Sequence, residues 1–221
     1  MPDIMNPRAK YIPCVLLVDT SASMSGAAID ELNEGLRAFG ETWMLDTRAS
    51  NAVHVCVINF NTKVTVEVPF SRAVDYVAPT LSAGGRTALN EAIITGLDAI
   101  EQQKTMYRQL GIDYYRPWLF LLTGGSATDM ELDVDAHQRL ANALEYRKVN
   151  FFPMGIGADA DIQALKSYTA NGSGPVLKAE KTNFKETFVW LASSLTVVSA
   201  ATPGQNKVIL PETPPCMTVE L

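Results

Sequence analysis

Three oxygen-bearing side chains occupy alternate positions near the start of this 221-residue chain: Asp19, Ser21 and Ser23. They follow the apolar run Val15-Leu16-Leu17-Val18. Such a run reads as a buried strand, so the polar triplet falls where that strand leaves its sheet. One carboxylate and two hydroxyls at this spacing can turn their oxygens toward a common point. Oxygen-only ligation suits a hard divalent cation such as Mg²⁺. Two further segments place small and polar residues beside an element end. Gly84-Gly85-Arg86-Thr87 precedes a helical pattern. Gly124-Gly125-Ser126, with Asp129, follows the apolar run 118–123.

The elements that would position these loops are legible from periodicity. Ile29, Leu32, Leu36, Phe39 and Trp43 recur at spacings of three and four, one face of a long helix. Asp30, Glu31, Asn33, Glu34 and Arg37 are expected on the opposite, polar face. Residues 54–60 read as the next strand and Asn61-Thr62 as a tight turn. Residues 63–68 alternate as Val64, Val66 and Val68, the pattern of an antiparallel edge strand. Residues 71–83 are irregular. Helices are predicted over 88–108, 133–147, 162–168 and 184–199, and strands over 118–123, 150–155 and 176–178. Strands alternating with helices imply a doubly wound, mostly parallel α/β sheet covered on both faces. Six strands are expected, one of them the antiparallel edge. In such a sheet ligands bind outside the carboxyl ends of the strands, where all three polar loops fall.

Composition narrows the function classes. Hydrophobic residues make up 47% and charged residues 19%, as in a globular domain. The net charge of −6 argues against a general nucleic-acid or anionic-membrane binder. No apolar stretch approaches the ~20 residues that span a bilayer, and the first ten residues lack the apolar core of a signal peptide. A cytoplasmic protein is expected. Cys14, Cys56 and Cys216 do not form a disulfide framework. His54 and His137 have no companion at ligand spacing and are read as structural. Gly155-Ile156-Gly157 is a strand-end turn, since it lacks the rest of a phosphate loop. Ser126 and Asp129 read as turn and cap residues ahead of the 133–147 helix, and Thr87 alone would read as an N-cap. Prolines 203, 211, 214 and 215 mark residues 201–221 as a tail, either extended along the domain or disordered. Residues 1–10 are an N-terminal extension and 11–200 the domain.

Asp-x-Ser-x-Ser before a helix, followed by Gly-Gly-x-Thr at a helix start, resembles the von Willebrand factor A domain. The likeness covers roughly residues 11–200. Within that family the chain is similar to bacterial tellurium-resistance TerY-type proteins. The segments that carry this are Leu16 to Met24, Gly84 to Leu89, and Asn183-Phe184-Lys185 with Phe188, Trp190, Ser193 and Ser194. The resemblance implies a Rossmann-like fold with a metal-ion-dependent adhesion site. Asp19, Ser21 and Ser23 match its first ligand loop and Thr87 its second. The ion implied is Mg²⁺, or another divalent cation such as Mn²⁺ or Ca²⁺. The family's third loop usually reads Thr-Asp-Gly, whereas this chain has Thr123-Gly124-Gly125. One carboxylate of the usual pair is therefore missing.

The function this implies is non-catalytic protein interaction, with a partner's Asp or Glu carboxylate completing the metal shell. The TerY likeness implies a stress-response or tellurium-resistance setting, with a protein kinase and a PP2C-like phosphatase as candidate partners. Two alternatives stand beside it. One is a Mg²⁺-dependent phosphatase-like enzyme. Asp19 superficially resembles a haloacid-dehalogenase nucleophile, but Ser21 replaces the second Asp of that motif, and no nucleophile elbow, His-based triad or Walker A motif is present. The other is a metal-independent scaffold with a degenerate site.

Overall fold

The computed structural model describes residues 10–158, 160–172, 174–179, 184–201 and 209–220. Most of the expected N-terminal extension, part of the tail, and Asn183 lie outside these residues. Among the described residues seven strands form one sheet in the order β3-β2-β1-β4-β5-β6-β7. They are β1 (Ile12–Asp19), β2 (Val53–Phe60), β3 (Val64–Arg72), β4 (Trp118–Thr123), β5 (Asn150–Ile156), β6 (Val176–Ala179) and β7 (Met217–Glu220). The five inner strands run parallel, while β3 and β7 pair antiparallel with β2 and β6. The doubly wound, mostly parallel sheet and its antiparallel β3 edge are as the alternation of elements predicts. The seventh strand comes from the Pro-containing tail, which adds itself to the far edge. Trp190 helps hold that tail, its indole N–H donating to the Pro211 carbonyl at 3.0 Å.

The central strand explains why both faces are covered. All eight residues of β1 are buried, and successive side chains point to opposite faces. Ile12, Cys14, Leu16 and Val18 pack toward α1 (Ala27–Trp43), α2 (Thr47–Ala52) and α6 (Phe184–Ala200). Val15 and Leu17 pack toward α3 (Leu89–Gln109), α4 (Asp133–Glu145) and α5 (Ile162–Ser167). Burying a Leu or Phe side chain in such a layer stabilises the fold by roughly 1.5–3 kcal/mol. Gly35 lets α1 approach α6, because a Cβ there would collide with the Phe188 ring.

One local reading changes, and one element is added. Asn33, expected on the polar face of α1, is buried. Its Nδ2 donates to the Leu81 carbonyl at 2.9 Å, and its Oδ1 accepts from the Leu81 N–H at 2.8 Å. An amide suits this place because it satisfies both backbone groups of an irregular segment at once. The segment between Trp43 and Val53 contains α2, a helix too short for periodicity to reveal. Asp46 starts it, accepting from the backbone N–H of Arg48 and of Ala49, both at 3.0 Å.

Candidate functional site

Asp19 is the last residue of β1 and Thr123 the last of β4. These strands are parallel neighbours at the centre of the sheet. From β1 the chain winds to β2 and β3 on one side, then returns to build β4 and its successors on the other. The crevice at such a reversal is where open α/β sheets bind ligands.

Asp19 is 1% exposed. Its Oδ1 accepts from the Ser21 backbone N–H at 2.7 Å. Its Oδ2 accepts from the Thr123 hydroxyl at 2.6 Å and from the Gly124 N–H at 3.3 Å. These donors fix the carboxylate plane and offset part of its desolvation. Ser21 and Ser23 hold their hydroxyl oxygens 3.0 Å apart. The 3₁₀ turn Ala22–Met24 sets that geometry: Met24 is drawn into the core while Ser23 faces outward.

The second loop is tied to the first by backbone bonds. Gly84 N–H donates to the Thr20 carbonyl at 2.9 Å, and Ala22 N–H to the Gly85 carbonyl at 3.2 Å. Gly85 has φ +79°, and a Cβ there would collide with Thr62 Oγ1. Only glycine combines that backbone with that contact. The third loop is clamped onto the second through Thr87. Its N–H donates to Thr128 Oγ1 and its carbonyl accepts from the same hydroxyl, each at 3.1 Å. Thr128 N–H adds a bond to the Thr87 carbonyl at 2.9 Å.

The Thr87 hydroxyl does not cap α3. The N-cap residue is Ala88, and Thr87 Oγ1 makes no hydrogen bond among the described residues. The capping work is done by Asp129. Its carboxylate accepts from Asn90 N–H at 3.3 Å and Glu91 N–H at 2.8 Å. Asp129 thus caps α3 from across the chain, whereas the expectation put it ahead of α4, whose N-cap Leu132 has no side-chain cap. Asn90 completes this junction, donating to the Asp129 carbonyl at 3.1 Å and accepting from the Tyr168 hydroxyl at 2.6 Å. Ser126 sits against Asp161, with their oxygens 3.4 Å apart.

The glycine pair of the third loop borders the same hydroxyls. A Cβ at Gly124 would lie 3.7 Å from Ser23 Oγ, and one at Gly125 would lie 3.6 Å from Thr87 Oγ1 and 3.9 Å from Ser23 Oγ. Those are ordinary contact distances, and neither glycine has a positive φ. The backbone therefore accepts a Cβ at either position.

Asp19, Ser21, Ser23 and Thr87 are drawn around one crevice from two loops, and the third supplies Thr123 and bare glycine. Among the described residues no group of three or more His, Cys, Asp or Glu side chains could hold a metal. An ion in the crevice would rest on one carboxylate and neutral hydroxyls. That all-oxygen set fits a hard dication that keeps several waters, and does not fit a metal that prefers thiolate or imidazole. Sequence reasoning missed Thr123 as the anchor of Asp19. Its signal was present as the last residue of an apolar run neighbouring β1.

The two histidines lie elsewhere. Burial, reinforced by the Arg72 charge, lowers the pKa of His54 to about 4, with Asp75 opposing. The Tyr107 hydroxyl meets its Nδ1 at 2.6 Å. His137 stacks on Tyr168 with ring centroids 4.0 Å apart.

The sequence model of the von Willebrand factor type A domain matches residues 14–189. Comparison with curated proteins gives no match. Among solved structures, the vWF domain of the type V pili tip protein Mfa5 from Porphyromonas gingivalis superposes with a TM-score of 0.60. The two are 9% identical, over 90% of this chain and 99% of that one. Proximal thread matrix protein 1 from the mussel byssus gives 0.55 at 15% identity, over 85% of this chain and 48% of that one. The ArnB paralog VWA2 from Sulfolobus acidocaldarius gives 0.52 at 16% identity, over 86% and 46%. The chain thus spans about half the length of the last two proteins. At these identities the likeness concerns the fold. Domains of this kind are generally protein-interaction modules, often with a metal-ion-dependent adhesion site. With its motifs, its strand order and the match over residues 14–189, the chain belongs to the von Willebrand factor type A domain family.

Proposed function

We propose that this domain is a non-catalytic protein-interaction module whose crevice holds Mg²⁺, or a similar divalent cation, for recognition of an acidic partner group. Asp19 is the anionic ligand, and Ser21, Ser23 and Thr87 are neutral ligands, directly or through water. The bound ion supplies a concentrated positive charge to which a partner's Asp or Glu carboxylate is attracted. The observation that carries this reading is the fixed Asp19 carboxylate, buried between Thr123 and the Ser21 N–H, beside a Ser21–Ser23 hydroxyl pair at 3.0 Å. With a single carboxylate, the chain holds the ion weakly until the partner contributes its own. The domain works in the cytoplasm. The TerY likeness supports a stress-response or tellurium-resistance setting, with a protein kinase and a PP2C-like phosphatase as candidate partners.

Titration calorimetry with Mg²⁺, supported by Mn²⁺ binding followed by electron paramagnetic resonance, tests the site. Asp19→Ala should abolish binding. Gly124→Asp should tighten it on the order of tenfold, since a second carboxylate adds charge to the shell. Equal metal binding by wild type and Asp19→Ala would overturn the reading.

A further inference from the structure

The loops around the crevice carry an unusual charge pattern for a chain of net charge −6. Four segments meet there: residues 20–26, 61–63, 82–88 and 124–128. They are joined by backbone bonds among Thr20, Phe60, Asn61, Gly84 and Ala88, and by the Thr87–Thr128 clamp. Across all four segments the only charged side chains are Lys63 and Arg86. Both are exposed, and neither has an ion-pair partner among the described residues. They are neighbours in space, because the Arg86 N–H donates to Thr62 Oγ1 at 3.0 Å and Lys63 follows Thr62. Arg86 immediately precedes Thr87. Nearby acids lie outside these loops: Glu67 on β3, Asp30 and Glu91 in the first turns of α1 and α3, Asp129 engaged in its cap and Glu131 beyond it, and Asp161, whose carboxylate meets Ser126.

We propose that the partner segment carries two neighbouring carboxylates, the first for the ion at Asp19 and the second for Arg86 and Lys63. This rests on the metal-dependent reading above and adds the chemical class of its ligand. The absence of a carboxylate at Gly124 and the two exposed cations act in the same direction. Both make the rim more favourable to a doubly acidic peptide than to a single Asp. Rim charges also steer such a partner toward the crevice before the short-range contacts form. Arg86 is the better reader, since its planar fork meets a carboxylate through two N–H bonds.

The test uses the full chain and two synthetic peptides with amidated C-termini and an uncharged N-terminal fluorophore, Gly-Gly-Asp-Gly-Gly and Gly-Asp-Gly-Asp-Gly, in excess Mg²⁺, read by anisotropy. The two-Asp peptide should bind roughly three- to tenfold more tightly, as two exposed charge contacts allow. The double variant Lys63→Gln, Arg86→Gln should erase that preference while leaving the one-Asp affinity within about twofold. Raised salt should reduce the preference in wild type. Equal binding of both peptides, binding of neither, or a preference that survives in the double variant would overturn the proposal. Mn²⁺ binding measured without peptide tells the two ideas apart. A domain that binds the ion but does not prefer two carboxylates loses only this inference.

Discussion

At the scale of single residues, Asp19 is held by Thr123 from across the sheet as well as by its own loop. The hydroxyl donates at 2.6 Å to a carboxylate oxygen that is closed off from water. Thr123→Val keeps the shape and removes that donor. It should destabilise the domain by about 1–3 kcal/mol, the cost of leaving a buried acceptor short of a partner. Urea denaturation gives that number; a loss under ~0.5 kcal/mol would show that water or Gly124 N–H replaces the hydroxyl. Gly85 is constrained for a different reason. Its positive φ and its contact with Thr62 leave no place for a Cβ, so Gly85→Ala should lower stability by ~1 kcal/mol or more. Because Gly85 also ties the first loop to the second, the variant should weaken Mg²⁺ binding as well, which calorimetry would detect.

At the scale of elements, the carboxyl-end loops behave as one unit because a residue from one loop finishes another element's helix. Asp129 belongs to the loop after β4 but satisfies the first N–H groups of α3. A carboxylate at a helix N-terminus gains both from the hydrogen bonds and from the helix dipole. Asp129→Ala should cost about 1–2 kcal/mol, and hydrogen exchange should rise first in the opening turn of α3. Unchanged protection at Asn90 and Glu91 would contradict the cap. Asn33 plays a similar part at a distance, holding Leu81 of the irregular stretch that leads into the second loop. A polar residue within an amphipathic pattern gives no hint that its partner is a backbone segment 48 residues away.

At the scale of the whole molecule, pH acts at the end of the sheet opposite the crevice. His54 is buried beside Tyr107 and Tyr11, and its pKa is lowered from 6.5 to about 4 by desolvation first and the Arg72 charge second. The unfolded chain therefore takes up this proton near pH 6.5 while the native state does not. Stability is complete above that value and falls as the pH drops from 6.5 toward about 4, by on the order of 3 kcal/mol for this group. Denaturation midpoints measured across that window check the sign. In His54→Leu the decline should be shallower, whatever the variant's stability at neutral pH.

The sequence by itself determined the order and type of the main elements, because buried parallel strands are continuous apolar runs and the helices repeat at three and four. It also placed Asp19, Ser21, Ser23 and Thr87 at element ends, and the resemblance to the family singled out Gly124. The short helix α2 and the tail strand β7 were hidden, the first for want of length and the second because its pairing is with β6 and not with neighbours in sequence. Only the tertiary structure decided that Thr123 holds Asp19, that Asp129 caps α3 in place of the Thr87 hydroxyl, and that Lys63 and Arg86 share one rim. Each of these is a pairing across 23 to 104 positions of chain. Local spacing records which groups a residue offers; the fold alone determines which distant groups come within hydrogen-bond reach.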